Sequence, residues 1–464
     1  MVSLGCVKNL VDTEGVLGAL AERGWLVAAR ARDADVVLIN TCGFIADARD
    51  ESLGVIEEIT KLKDAGRLRG IVVMGCLVQR LGQELVERFP AVDSWVGLAA
   101  PDAVVQACRH ALDKPLSLSV RGKGEGVAAT PSVCLPDPAI RATDRGPRLR
   151  VTPKHYAYLR IAEGCDNRCG YCTIPSIRGP LRSRAEADVL REARELIADD
   201  ARELILIAQD TTAYGTENGG EPRLPGLLRQ LRTLDRLVWL RLLYTHPARI
   251  TDDLIAVLAE GRPVLPYVDL PIQHASDRIL ERMGRRTTRD GLRSVIARLR
   301  ERVPQIVLRT TIIVGFPGEE DSDFRQLLDF LKETRFERLG AFAYSPEAGT
   351  AAVEMNGKVP AEVKEERLAA VMELQQQIAA EQSAELIGRE IDIVVDGRGN
   401  DGEWAGRTVR DAPDADGTIR FEQTNLEAGT FGRALITDAY GYDLTGSMME
   451  QEAEEEAEEE ERTG

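Results

Sequence analysis

The stretch "IAEGCDNRCGYCTIPSIRG" (161–179) places Cys165, Cys169 and Cys172 within eight residues. Four thiolates close a tetrahedral zinc site, whereas three on a four-iron cluster leave one iron without a protein ligand and open to a small molecule. The loop follows an apolar run that ends in Gly164. It is therefore expected at the carboxyl end of a strand, where (βα) barrels assemble their active sites. A zinc knuckle completed by a distant His or Cys is the other reading of this spacing.

A second set is dispersed. Cys6 follows "VSLG", Cys42 follows "VVLINT" and Cys76 follows "IVVMG". Each stands at the carboxyl end of a predicted parallel strand, where open α/β sheets bind ligands. Gly5, Gly43 and Gly75 beside them would let a bulky cluster approach the backbone. Three buried structural cysteines are the alternative, but the repeated strand-end placement favours a second three-thiolate cluster. Cys108, on a helical pattern, reads as core, and Cys134 has no evident partner.

The elements that must position these residues follow from periodicity. Residues 1–116 alternate short Val/Ile/Leu runs with amphipathic stretches, which predicts an open parallel α/β domain. Residues 117–150 lose that rhythm and read as a linker. From 151 to 384 six apolar runs, each a candidate strand, predict an incomplete (βα)6 barrel, with a long helix at about 360–385 leading out of it. Residues 385–446 carry short strands separated by Gly, Asp and Asn, the pattern of a small all-β barrel.

The chain has 464 residues, 44% hydrophobic and 29% charged, with eight cysteines. That is too sparse for a disulfide scaffold and fits clustered thiols in a reducing cytoplasm. No run of eighteen apolar residues and no basic-then-apolar leader is present, so neither a membrane span nor a secretory signal is expected. Of the net charge of −17, the segment 447–464 contributes −8 and 385–446 contributes −7 with no lysine. The Glu-rich tail should be disordered and solvated.

C-x3-C-x-aromatic-C at the start of a six-unit βα barrel resembles the radical S-adenosylmethionine (SAM) superfamily. The resemblance implies that Cys165, Cys169 and Cys172 ligate a 4Fe–4S cluster whose open iron chelates SAM, and that one electron cleaves SAM to a 5′-deoxyadenosyl radical. It puts Tyr171 beside the adenine. It also puts Gln209 and Asp210, after the second barrel strand, near the SAM amino group, although the Gly-Gly-Glu usual there is absent. "IIVGFPGE" (312–319), with Gly315, would approach the adenine through backbone. No catalytic residue is assigned beyond the cluster ligands. Arg178 and Arg184 could neutralise the SAM carboxylate or an acidic target, or be ordinary arginines. His246 and His274 read as hydrogen-bonded supports.

With strand-end cysteines before the barrel and a small β-barrel after it, the whole of 1–446 resembles the methylthiotransferases, whose last domain is called TRAM. The resemblance implies a second 4Fe–4S cluster on Cys6, Cys42 and Cys76, which holds the sulfur that enters the product. One SAM would methylate that sulfur and another would supply the radical. It also implies a protein electron donor such as a flavodoxin or ferredoxin.

Methylthiotransferases act mainly on an adenosine of tRNA or an aspartate of a ribosomal protein. "SLGCVKNLVDTE", "AQDTTAYG", "RLLYTHP", "PIQHASDRILERM" and "GYDLTG" resemble the second kind, which implies the β-carbon of an aspartate of ribosomal protein uS12 as the target; the tRNA-modifying kind is the alternative. Charge supports this independently. A tRNA-gripping domain needs Lys and Arg for phosphates, whereas an acidic one repels RNA and attracts a basic protein.

Overall fold

The computed structural model describes residues 1–113, 131–140, 146–399 and 402–449. The acidic tail from 450 lies outside the described residues.

The first lobe is a five-stranded parallel sheet in sequential order: β1 (Val2–Ser3), β2 (Val36–Thr41), β3 (Gly70–Gly75), β4 (Ser94–Val96) and β5 (Ser132–Cys134). Helices cover both faces, so β3 and the first four residues of β2 are apolar without a break. Alternation still sorts their side chains. Val37, Ile39, Ile71 and Val73 pack with Ile56 and Ile59 of helix Ala46–Asp64, while Leu38, Val72 and Met74 pack with helices Val7–Ala21 and Pro101–Asp113. Strand β5 falls inside 117–150, the segment expected as a linker: Val133 stands opposite Trp95 and extends the sheet by one strand. Three residues are too few to show a period. Cys134, expected without partners, ends that strand and packs on the same core as Cys108.

The second lobe is an open sheet of six parallel strands, β6 (Tyr156–Arg160), β9 (Glu203–Ile207), β10 (Trp239–Leu242), β11 (Val264–Asp269), β12 (Val307–Val314) and β13 (Arg338–Ala343), with β6 and β13 as its edges. Ala157, Leu159, Leu204 and Leu206 face the surrounding helices, while Tyr156, Tyr158, Ile205 and Ile207 fill the interior. Two short strands, β7 (Ala162–Glu163) and β8 (Arg182–Ser183), pair antiparallel and bracket the cysteine loop.

The third lobe is a closed five-stranded barrel, in the order β14 (Glu390–Arg398), β15 (Trp404–Thr408), β16 (Ile419–Phe421), β18 (Asp443–Met448) and β17 (Phe431–Tyr440). Helix Ala361–Ala384 leads into it. This lobe plugs the amino-terminal mouth of the open barrel, opposite the cysteine loop. Val394 and Ala412 join the Tyr156, Trp239 and Tyr267 core. Around them Glu203 accepts from Arg241 Nε (2.8 Å) and Arg407 Nη1 (2.7 Å), Tyr267 donates to Asp416 (2.6 Å), and Arg338 Nε donates to Asp411 (3.0 Å).

Glu203 is fully buried. Burial pulls its carboxyl pKa upward, but Arg407 and Arg241 outweigh that and hold it below the ordinary value. Removing one partner of a buried ion pair costs about 3–5 kcal/mol. Glu203→Gln is therefore expected to destabilise the protein by about that amount in urea unfolding at neutral pH. A depressed carboxyl gives stability that is complete above the unfolded glutamate pKa of about 4.3 and is lost as pH falls through the lower folded value. The gap between the two proteins should accordingly close on acidification through that window.

Candidate active site between two cysteine triads

Cys165, Cys169 and Cys172 lie in the loop between β7 and the helix Ile174–Arg178, at the carboxyl mouth of the open barrel. Cys172 is within electrostatic reach of Cys169 and Cys165. The loop is fixed at both ends. Cys165 N donates to Gly179 O (3.1 Å), and Gly170 N donates to Met283 O (2.9 Å). Gly164, at φ +75°, turns the chain where any Cβ would overlap the Pro180 carbonyl oxygen and stand 2.6 Å from that of Gly179.

In the first lobe Cys6 caps the helix Val7–Ala21, Cys42 follows β2 and Cys76 opens the helix after β3. The three strand ends converge: Cys76 is within electrostatic reach of Cys6 and Cys42, and Cys42 of Cys6. The glycines beside them make room for neighbouring strand ends, not for a ligand. A Cβ would stand 2.7 Å from Cys42 Cβ at Gly5, from Leu77 Cα at Gly43 and from Thr41 O at Gly75. Cys108, by contrast, sits in the apolar core.

The donor sets suit iron–sulfur clusters. Burial pushes the thiol pKa up to about 11 at Cys76 and Cys165 and to about 12 at Cys172. Thiols in such surroundings become thiolates when a metal replaces the proton. Among the described residues no group of three or more His, Cys, Asp and Glu could hold a metal ion; a four-iron cluster instead takes one thiolate per iron around a wider body.

Tyr171 is packed edge-on against Phe316 at 6.4 Å between ring centres and lies within electrostatic reach of Cys169 and Cys172. The 312–319 stretch thus reaches the cysteine loop through Phe316. The Gly315 amide donates to Glu319 Oε2 (2.7 Å), as does that of Phe316, so these amides serve the turn itself. Gln209 Nε2 donates to Glu163 (3.3 Å), while its Oε1 is buried without a partner. Asp210 is fully engaged. Its Oδ2 accepts from Asn167 (2.8 Å) and Arg249 (2.7 Å), and its Oδ1 from Thr212 (2.5 Å) and the Ala213 amide, which ties the cysteine loop to the end of β9.

Arg178 and Arg184 do not face an open ligand space. Arg184 donates to Arg160 O (2.8 Å) and pairs with Glu192, while Arg178 reaches back into the first lobe. His246 and His274 each accept a backbone amide through Nδ1, from Ala248 and Ser276. Desolvation lowers their pKa values to about 2 and about 3, which keeps both neutral.

Sequence reading missed three features of the site. Arg285 approaches Cys169 Sγ at 3.9 Å. Lys8 is buried with its ammonium over the Tyr244 ring, near Cys6, and desolvation lowers its pKa to about 8. Glu347, beyond β13, binds Arg80 Nη1 (2.9 Å), the Ala46 amide (2.9 Å) and Arg49, clamping the two lobes together. Lys8, Asn9 and Asp12, polar at helical spacing among apolar residues directly after a cysteine, were a readable signal for part of this.

A parallel open barrel with a three-cysteine loop at its carboxyl mouth, joined to a lobe with a second triad, defines a radical SAM enzyme of the methylthiotransferase class. Residues 159–331 match the Radical SAM superfamily, 1–97 match the Uncharacterized protein family UPF0004 and 387–449 match the TRAM domain. The chain is 46% identical over 452 residues to a protein of Pelotomaculum thermopropionicum named ribosomal protein uS12 methylthiotransferase RimO, covering 97% of this chain and 98% of that one. A protein of the same name from Geobacter sulfurreducens is 44% identical, at 97% and 98% coverage. The radical SAM methyltransferase TsrM of Kitasatospora setae, solved with cobalamin and a 4Fe–4S cluster, aligns with a TM-score of 0.49 at 16% identity over 75% of this chain and 71% of that one. The chain belongs to the RimO family of radical SAM methylthiotransferases. The cofactors of that family are 4Fe–4S clusters and SAM.

Gly164→Ala is expected to lower the thermal midpoint, because a positive φ and two backbone carbonyls oppose the new methyl. Gly226→Ala, in open space on a helix, should leave the midpoint unchanged or raise it slightly. Calorimetry on the two variants checks the contrast.

Proposed function

We propose that this enzyme transfers a methylthio group to the β-carbon of an aspartate of ribosomal protein uS12, with Cys165, Cys169 and Cys172 holding the SAM-binding cluster and Cys6, Cys42 and Cys76 the sulfur-carrying one. The observation that carries the reading is the pairing of two cysteine triads, one at the carboxyl ends of three parallel strands and the other in the loop after β7 at the carboxyl mouth of the open barrel, in a chain that aligns over 97% of its length with a RimO protein. When bound, the two clusters with SAM supply carbon-radical chemistry and the sulfur and methyl groups, which no side chain here can provide.

The chain's own residues bind and orient. Gln209 Oε1, a buried acceptor left over, suits the amino group of SAM. Asp210, through Asn167 and Arg249, holds the cysteine loop against the barrel. Tyr171 and Phe316 give an apolar aromatic wall for the adenine. Lys8 supplies a buried positive charge beside Cys6, where an aspartate side chain would enter between the lobes.

The cytoplasm is the proposed setting, with a flavodoxin or ferredoxin as electron donor and no tRNA substrate. Among the described residues no helix is long and apolar enough to cross a membrane. The electrostatic argument for a basic partner is narrower than composition suggests. Asp396, Asp411 and Asp416 of the third lobe are spent on His155, Arg338 and Arg309 of the open barrel.

Mass spectrometry of uS12 and tRNA from cells with and without the gene tests the substrate. The methylthio increment should vanish from uS12 alone, and a change confined to tRNA would refute the assignment. Replacing Cys165, Cys169 and Cys172 together by Ala should leave about half of the iron and abolish 5′-deoxyadenosine release.

A further inference from the structure

Arg178 lies six residues beyond the last cysteine of the barrel loop, yet its guanidinium is buried against the other triad, only 2% exposed. Nη2 donates to Cys76 Sγ (3.4 Å), Asn9 Oδ1 (2.8 Å) and Asp12 Oδ2 (3.2 Å), and Nη1 donates to Glu163 Oε1 (2.8 Å). Arg160 takes the remaining oxygens of the same two acids, at 2.6 Å from Asp12 Oδ1 and 3.1 Å from Glu163 Oε2. Two guanidinium groups therefore balance two carboxylates, and beyond them Arg178 donates to two further acceptors, the Asn9 amide oxygen and the Cys76 sulfur.

We propose that Arg178 is a positioning residue that sets the reduction potential of the cluster on Cys6, Cys42 and Cys76 and ties that cluster to the radical-site loop. Hydrogen bonds to cluster sulfurs and nearby positive charge stabilise the more negative, reduced state, and burial strengthens both effects. Arg178 therefore raises the potential of the first-lobe cluster, and Asp12, sharing the same guanidinium, moderates that rise. Because Arg178 ends the helix that begins two residues after Cys172, a shift of the barrel loop is transmitted directly to Cys76. The inference rests on the reading that the first triad holds a cluster.

The test uses the full-length protein carrying Cys165→Ala, Cys169→Ala and Cys172→Ala, so that only the first triad can bind iron. After anaerobic reconstitution, iron is counted and the cluster is titrated by electron paramagnetic resonance in this parent and in Arg178→Gln, Arg178→Lys and Asp12→Asn. At equal iron content, the potential should fall in Arg178→Gln, stay near the parent in Arg178→Lys and rise in Asp12→Asn. Equal potentials at equal iron overturn the inference while leaving the cluster reading intact. A parent that binds no iron overturns the cluster reading and the inference with it. If Arg178→Gln loses iron, the neutral Arg178→Met takes its place, and loss of iron there too overturns the inference in favour of a structural arginine, because Asp12→Asn raises the potential through its own lost charge whatever Arg178 does.

Discussion

Asp12, Arg160, Glu163 and Arg178 meet where two lobes join, in a space nearly closed to water. An unpaired ion there would cost several kcal/mol, so each group persists only while the other three hold their places. The helix Val7–Ala21 brings Asp12 directly from Cys6, and β7 brings Glu163 to within two residues of Cys165. Fixing the four charges therefore fixes the two triads relative to each other. Arg148, between Glu14, Glu192 and the Tyr158 carbonyl, and Glu347, between Arg80 and Arg49, repeat the device on either side of the junction.

The opposite mouth of the open barrel is settled by the same physics. A six-stranded open sheet leaves its aromatic interior exposed at both ends. The small β-barrel covers the end away from the cysteines with Val394 and Ala412, and it satisfies the inward-pointing Arg309 and Arg338 with carboxylates and Arg241 with the Val409 carbonyl. Acids that look like surface charge in the composition are thus structural counter-ions. The carboxyl mouth is left to the first lobe and the cysteine loop, at the end where (βα) barrels assemble their active sites.

Much of the fold was legible because parallel strands buried on both faces must be apolar throughout. The runs "VVLINT" and "GIVVMG" announced β2 and β3, and the cysteines after them fell at strand ends as expected. Strand β5 was not legible: three residues at a sheet edge carry no period, and only the register against β4 defines them. In the site, the cysteine spacing was visible because C-x3-C-x2-C is a local pattern of residue type and distance. Arg178 and Asp210 were visible as residues, but their partners were not.

What the sequence determined by itself was the set of elements and donors: six cysteines at strand ends, an aromatic beside one triad, and three lobes distinguished by periodicity. These are local properties, set by side-chain chemistry and the repeat of the backbone. Only the tertiary structure decided that Arg178 reaches Cys76 and not its own loop, that Asp210 is spent on Asn167 and Arg249, and that three acids of the third lobe, Asp396, Asp411 and Asp416, point inward. The reason is physical. Which charge pairs with which depends on burial and on distances of a few ångströms between residues tens to hundreds of positions apart, and no local pattern in the chain encodes those distances.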